Sequence, residues 1–194
     1  MAIEIKEQYS VAAPIDAVWQ FMLDPQQVVV CLPGAKLDEV VSERSFLGTV
    51  KIKLGAVTTS YKGRVELTEI DEQAHAIVMV AEGRETGGGT AKATLTSELR
   101  ELPDGQTEIV TLAQLDLTGR IVQVGRGMIQ GVSHQIFQQF AASTKERLEL
   151  PSGSPPQTAP AEPTAIRIVP VLFKTVWSAL QNLLRRIFGR PLSE

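Results

Sequence analysis

The sequence predicts an α+β fold in which a seven-stranded antiparallel sheet wraps around a long C-terminal helix. Three observations carry that reading. Seven segments alternate apolar and polar residues with turn chemistry between them. Two short helical patterns interrupt the series after its first member. A long helical pattern closes it, just before a proline-rich stretch.

The first strand is expected over residues 3–11, where Ile3, Ile5, Tyr9 and Val11 alternate with polar neighbours. Pro14 suits the first turn of a helix, because its missing N–H is not needed there. That helix carries Ile15, Val18, Trp19 and Met22 at helical spacing and ends before Asp24-Pro25. A second helix, about 26–32, stops at Pro33-Gly34. Six strands follow, at about 36–42, 45–54, 57–70, 74–83, 89–101 and 106–118, with breaks that include Asp71-Glu72 and Pro103-Asp104-Gly105. The closing helix is expected over 121–149, with Val124, Met128, Ile129, Val132, Ile136 and Phe140 as its buried stripe.

The expected organisation is a domain over residues 1–149, a flexible linker over 150–164 and a separate amphipathic basic helix over 165–190. Pro151 to Pro163 holds too many prolines to fold. Beyond it, Phe173, Val176, Trp177, Leu180, Leu183, Leu184 and Ile187 recur every three or four residues, with Phe188 next to them. Lys174, Arg185 and Arg186 supply the charge. Such a helix on a tether fits a membrane interface or a groove on a partner, and folding back on the domain is the plain alternative. From Thr164 onward five basic residues face Glu194 alone, so the body is acidic within an overall charge of -3. An acidic body argues against nucleic acid as the partner, while anionic lipid would attract the basic tail.

Cys31 is the only cysteine, which rules out an internal disulfide and fits a reducing compartment. The first residues lack a signal-peptide pattern, and no run reaches the roughly 20 apolar residues of a membrane span. The expected location is cytoplasmic, peripheral to the inner face of the cell membrane.

Strand periodicity sets out an inward face that is unusually small and polar, with Thr59, Tyr61, Gly63, Ala93, Ser97, Thr111 and Ala113. The facing helix carries Gly125, Gly127 and Gly131. Glycine in a helix costs about 1 kcal/mol relative to alanine, so it calls for a reason. Close packing of helix on sheet is one reason, and space for an apolar ligand is the other. In the second case Tyr61, Ser97 and Thr111 would orient the ligand's polar atoms, while Gly125, Met128, Val132 and Ile136 would form the helical wall.

Catalytic chemistry is sparse. His75 is expected in a strand and His134 on the long helix, neither with a second ligand at metal spacing. Cys31 reads as a small buried residue. Gly87-Gly88-Gly89-Thr90 lacks the Lys-Ser/Thr ending of a phosphate loop and reads as a hairpin turn. No metal site and no covalently bound cofactor is expected.

Ala13-Pro-Ile-Asp-Ala-Val-Trp-Gln-Phe-Met-Leu-Asp-Pro resembles the first-helix signature of the START-like, helix-grip (SRPBCC) superfamily that includes Bet v 1 and polyketide cyclases. Cys31-Leu-Pro-Gly-Ala, Gly48-Thr-Val-Lys-Ile-Lys-Leu-Gly, Tyr61-Lys-Gly-Arg-Val-Glu-Leu and Leu117-Thr-Gly-Arg-Ile-Val-Gln-Val-Gly-Arg are similar to the carbon monoxide dehydrogenase G-subunit (CoxG) family. The resemblance implies a hollow grip, a partner that is a molybdenum–flavin dehydrogenase, and a bound respiratory quinone such as menaquinone or ubiquinone. It supplies no catalytic residues. Three functions follow as expectations: a non-enzymatic membrane-associated quinone carrier, a ligand-free recruitment adaptor for the dehydrogenase, or a cyclase-type enzyme.

Overall fold

The computed structural model describes residues 1–149; the expected linker at 150–164 and the expected amphipathic helix at 165–190 lie outside the described residues. Strand β1 (Ala2–Val11) leads into helices α1 (Ile15–Leu23) and α2 (Pro25–Cys31). Six strands follow: β2 (Ala35–Ser42), β3 (Ser45–Leu54), β4 (Val57–Asp71), β5 (Ala76–Glu85), β6 (Gly89–Glu101) and β7 (Thr107–Leu117). A 3-10 turn (Arg120–Val124) precedes helix α3 (Arg126–Glu149). The seven strands form one antiparallel sheet in the order β1-β7-β6-β5-β4-β3-β2, so β1 and β2 are its two edges.

Local chemistry accounts for the helix boundaries. Asp24 ends α1 and caps α2, accepting hydrogen bonds from the backbone N–H of Gln26 at 2.9 Å and of Gln27 at 3.4 Å, with Pro25 at the first position of the new helix. Thr107, fully buried, donates to the Ala13 carbonyl at 2.7 Å and ties the entry of α1 to β7.

Two sequence expectations are corrected here. The helix expected over 121–149 is two pieces, broken at Gly125, whose φ of 88° is a left-handed value that favours glycine. His75 lies in the turn between β4 and β5 rather than in a strand, with φ of 48° and its ring edge-on to Trp19 at 5.2 Å.

Helix α3 is fastened to the β1 edge of the sheet. Tyr9 meets Phe137 and Phe140 edge-on at 5.5 and 6.3 Å. Glu7 Oε1 lies 2.6 Å from His134 Nδ1, and Glu149 Oε1 accepts from the Ala12 N–H at 2.9 Å. The buried core is consequently split in two. One cluster, with Val11, Trp19, Phe21, Phe46, Ile109 and Phe140, gathers at the α1–α2 end of the sheet. The other, with Ile3, Leu54, Tyr61, Leu117, Ile121 and Ile129, gathers at the opposite end. Close-packed domains of this size ordinarily have one contiguous core.

Candidate functional site: an apolar cavity inside the grip

The space between the two clusters is a cavity of about 460 Å³. Its floor is built by register. Gly48 on β3 pairs with Gly63 on β4, Gly63 with Gly83 on β5, and Gly83 with Ala91 on β6. All four line the cavity, so a band without bulky side chains crosses four strands at right angles. Ala81 and Ala93, paired across β5 and β6, continue the hollow. At Gly63 even one methyl group would not fit, because a Cβ would strike the Glu82 carbonyl oxygen and lie 2.6 Å from Gly83 Cα. The strands approach there too closely for any other residue.

The remaining walls are apolar. Val28 and Leu32 of α2 and Leu37 of β2 line one side, and Ile129, Val132 and Ile136 of α3 the other. A volume of this size lies within the roughly 300–1,000 Å³ typical of small-molecule sites.

Of the expected wall residues, Tyr61, Ser97, Val132 and Ile136 line the cavity. Three do not. Met128 is 46% exposed, with its sulfur over the Gly55 turn rather than in the buried stripe. Gly125 serves the break before α3, and its role is conformational. Thr111 stands beside Ser97 as its cross-strand partner on β7 and does not line the cavity; its hydroxyl is 2.9 Å from that of Ser97, so these two buried groups satisfy one another. The helix glycines correct both expected reasons at once. Gly127 and Gly131 are exposed, and a Cβ on either would meet nothing within 4 Å. They neither admit a close neighbour nor widen the cavity.

The polar chemistry lies at the Tyr61 end. Glu85, the last residue of β5, faces inward opposite Tyr61 with its side chain 3% exposed. Its Oε1 accepts from Arg120 Nη2 at 2.9 Å. The neighbouring Thr59 hydroxyl and then the Arg120 guanidinium hold the Glu85 carboxyl below the usual carboxylate range. Burial pushes the Tyr61 phenol above its ordinary value, and the charge of Glu85 pushes the same way. Tyr61 is therefore an O–H at neutral pH and Glu85 an anion.

Glu85 and Arg120 were missed in the sequence. The signal was the inward series Ile77, Met79, Ala81, Gly83, Glu85, which places a charge on a buried face once β5 is carried to its true end. Thr86, Gly87 and Gly88 form the β5–β6 connection and Gly89 opens β6, as the hairpin reading expected. Cys31 is buried within the α1–α2 cluster, and burial raises its thiol pKa. Among the described residues no group of three or more His, Cys, Asp or Glu could hold a metal ion, and no helix is long and apolar enough to cross a membrane.

A family model described as the carbon monoxide dehydrogenase G-subunit (CoxG) matches residues 8–149. No curated protein matches the chain. Among solved structures, a conserved protein from Geobacillus kaustophilus is similar at 19% identity and a TM-score of 0.69, over 76% of this chain and 95% of its own. The Zhui aromatase/cyclase from Streptomyces sp. R1128 is similar at 13% identity and 0.57, over 77% and 94%. A START superfamily protein from Mycobacterium smegmatis is similar at 11% and 0.55, over 75% and 97%. At these identities the likeness shows a shared START-like, helix-grip fold and nothing of chemistry.

Proposed function

The chain belongs to the carbon monoxide dehydrogenase G-subunit (CoxG) family, and from that membership we propose that it is a non-enzymatic carrier holding a respiratory quinone inside its grip and serving a carbon monoxide dehydrogenase-like molybdenum hydroxylase. The observation that carries this reading is the 460 Å³ cavity that divides the core into two clusters. A fold that filled itself would bury these walls against one another. Leaving Val28, Leu37, Ile129 and Val132 around a space forgoes about 25 cal/mol for each Å² of apolar surface that an occupant could cover. A prenylated ring suits such walls, because nearly all of its surface is apolar and only its ring oxygens need partners.

The inward titratable groups support carriage rather than turnover. Glu85 is engaged through Oε1 by Arg120 and Glu7 by His134. Neither carboxylate is among the residues that line the cavity, where a general acid or base would have to reach a substrate. The segment at 165–190 completes the proposal as a reversible anchor. Its Trp/Phe/Leu stripe would enter an anionic leaflet, and each Lys or Arg near the surface would add roughly 1 kcal/mol.

Native mass spectrometry of gently purified full-length protein, followed by organic extraction, tests the ligand. A stoichiometric isoprenoid quinone is expected, and protein that is empty and stays empty when offered quinone in detergent overturns the carrier. Cosedimentation with anionic liposomes tests the anchor. Binding should fall with salt and vanish when residues 165–190 are deleted, whereas binding that survives the deletion removes the anchor from the proposal.

A further inference from the structure

Five buried side-chain atoms have no hydrogen-bond partner among the described residues: Tyr9 Oη, Thr59 Oγ1, Tyr61 Oη, Glu85 Oε2 and Thr144 Oγ1. Tyr9 and Thr144 neighbour each other where α3 packs on β1, away from the cavity. The other three form one group. Tyr61 and Glu85 are cross-strand partners on β4 and β5, and Thr59 lies on the same inward face of β4, adjacent to both. Tyr61 itself lines the cavity. An unsatisfied buried polar atom is costly, about 1–3 kcal/mol and more for a charged one. Here the three lie beside one another, with Thr59 next to both the Glu85 carboxyl and the Tyr61 phenol, and the two hydroxyls bring only two protons to a larger number of acceptor sites.

The donor and acceptor inventory decides what partner suits this group. An ionised carboxylate only accepts, while each hydroxyl has one donor and two acceptor sites. The Glu85 carboxylate, with only one oxygen engaged by Arg120, draws the Thr59 and Tyr61 protons toward itself. That orientation leaves the lone pairs of Tyr61 free to accept. The group is short of donors whichever hydroxyl serves the carboxylate.

We propose that Tyr61, positioned by Thr59 and Glu85, is the polar-end contact of the cavity and that it selects ligands whose polar end donates a hydrogen bond. Resting on the carrier reading, this means that the reduced ligand, a quinol with two O–H groups, binds more tightly than the quinone, which offers only acceptors. The carrier is then poised to hold the product of quinone reduction and to release it at a surface.

The test uses full-length protein stripped of lipid and a naphthoquinone bearing a short prenyl chain, compared with its quinol under anaerobic conditions. The expected result is tighter binding of the quinol by tenfold or more. Because binding and reduction are linked, a tenfold preference raises the midpoint potential of the bound couple by about 30 mV relative to the free one. Glu85→Gln, which puts amide donors in the group, should abolish or reverse that preference, and Tyr61→Phe should reduce it. Equal affinity for both forms, unchanged in Glu85→Gln, overturns the selectivity and leaves the carrier intact. Failure of both forms to bind removes the carrier and this inference together. Neither variant enlarges a side chain, and their unfolding transitions show whether the fold persists.

Discussion

Arg120 reaches from the surface to a buried anion: its Nη2 lies 2.9 Å from Glu85 Oε1, although its own side chain is 62% exposed and that of Glu85 3%. Two glycines make the reach possible. At Gly87 a Cβ would collide with the guanidinium, 3.0 Å from its Cζ. At Gly89 a Cβ would lie 2.7 Å from the Thr118 carbonyl oxygen. Thr90 and Thr118 join the same two loops, with their hydroxyls 2.7 Å apart. The glycine-rich hairpin is thus shaped by this latch, whose buried member, Glu85, pairs across the strands with the cavity-lining Tyr61.

Arg120→Met is expected to destabilise the protein at neutral pH by leaving the Glu85 anion buried without its cation. The sign with pH follows from the depressed carboxyl of Glu85. Its contribution is present above the unfolded-state value and is lost as pH falls through the folded one. Urea unfolding should therefore separate the variant from the parent at pH 7 and bring the two together as the pH falls below the ordinary carboxylate range. A gap that persists in acid would mean that the arginine acts through packing alone.

The glycines should divide into two opposite classes. Gly131→Ala adds a methyl group to an exposed helical position with open space around it, and is expected to stabilise by about 0.5–1 kcal/mol. Gly63→Ala forces a Cβ into the β5 backbone and should unfold the domain or distort the cavity floor. Denaturant midpoints of the two variants, moving in opposite directions, check both at once. Destabilisation by Gly131→Ala would show that this face has a neighbour.

That contrast also shows what could be read from the sequence. The strands were legible because Ile3, Ile5, Tyr9 and Val11, and each later series, alternate with the pleat, and the register then follows from short turns. The cavity's sheet wall was legible for the same reason, as Ala93, Ser97 and Tyr61 stand where alternation puts them. The helix wall was not. Apolar spacing runs unbroken through Val124 and Met128, so nothing short of φ at Gly125 reveals that the helix starts later and that Met128 turns outward. Periodicity says which residues share a face but not what lies opposite. The exposed Gly127 and Gly131 were therefore indistinguishable from packed ones. The Arg120–Glu85 pair joins residues 35 apart in the chain, and its discovery needed the β5–β6 hairpin folded against the loop after β7.

Ser97 and Thr111 should behave as a self-contained pair. Their hydroxyls are 2.9 Å apart and both are buried. Thr111→Val alone leaves the Ser97 hydroxyl without its partner, at an expected cost of about 1–3 kcal/mol. Ser97→Ala combined with Thr111→Val removes both polar groups and should recover most of that loss. Quinone retention by the double variant should match the parent. If the double variant loses quinone while remaining folded, these hydroxyls contact the ligand after all.

Ala93→Leu tests the hollow most directly. Ala93 stands in the middle of the sheet wall, paired with Ala81 and flanked on β7 by Leu115, and all three line the cavity. In a filled core, three added heavy atoms would overpack the site and cost about 1–3 kcal/mol. Here the added atoms enter a space of about 460 Å³. They recover dispersion contacts that the alanine lacks and bury apolar surface, so unfolding stability should stay level or rise. Ligand capacity should move the other way, because the isobutyl group occupies the space above the glycine band where a ring would lie. Extraction of the purified variant should return clearly less quinone per protein than the parent, with an undiminished urea midpoint. A variant that is destabilised and still fully loaded would show that Ala93 is packed against protein and that the ligand lies elsewhere.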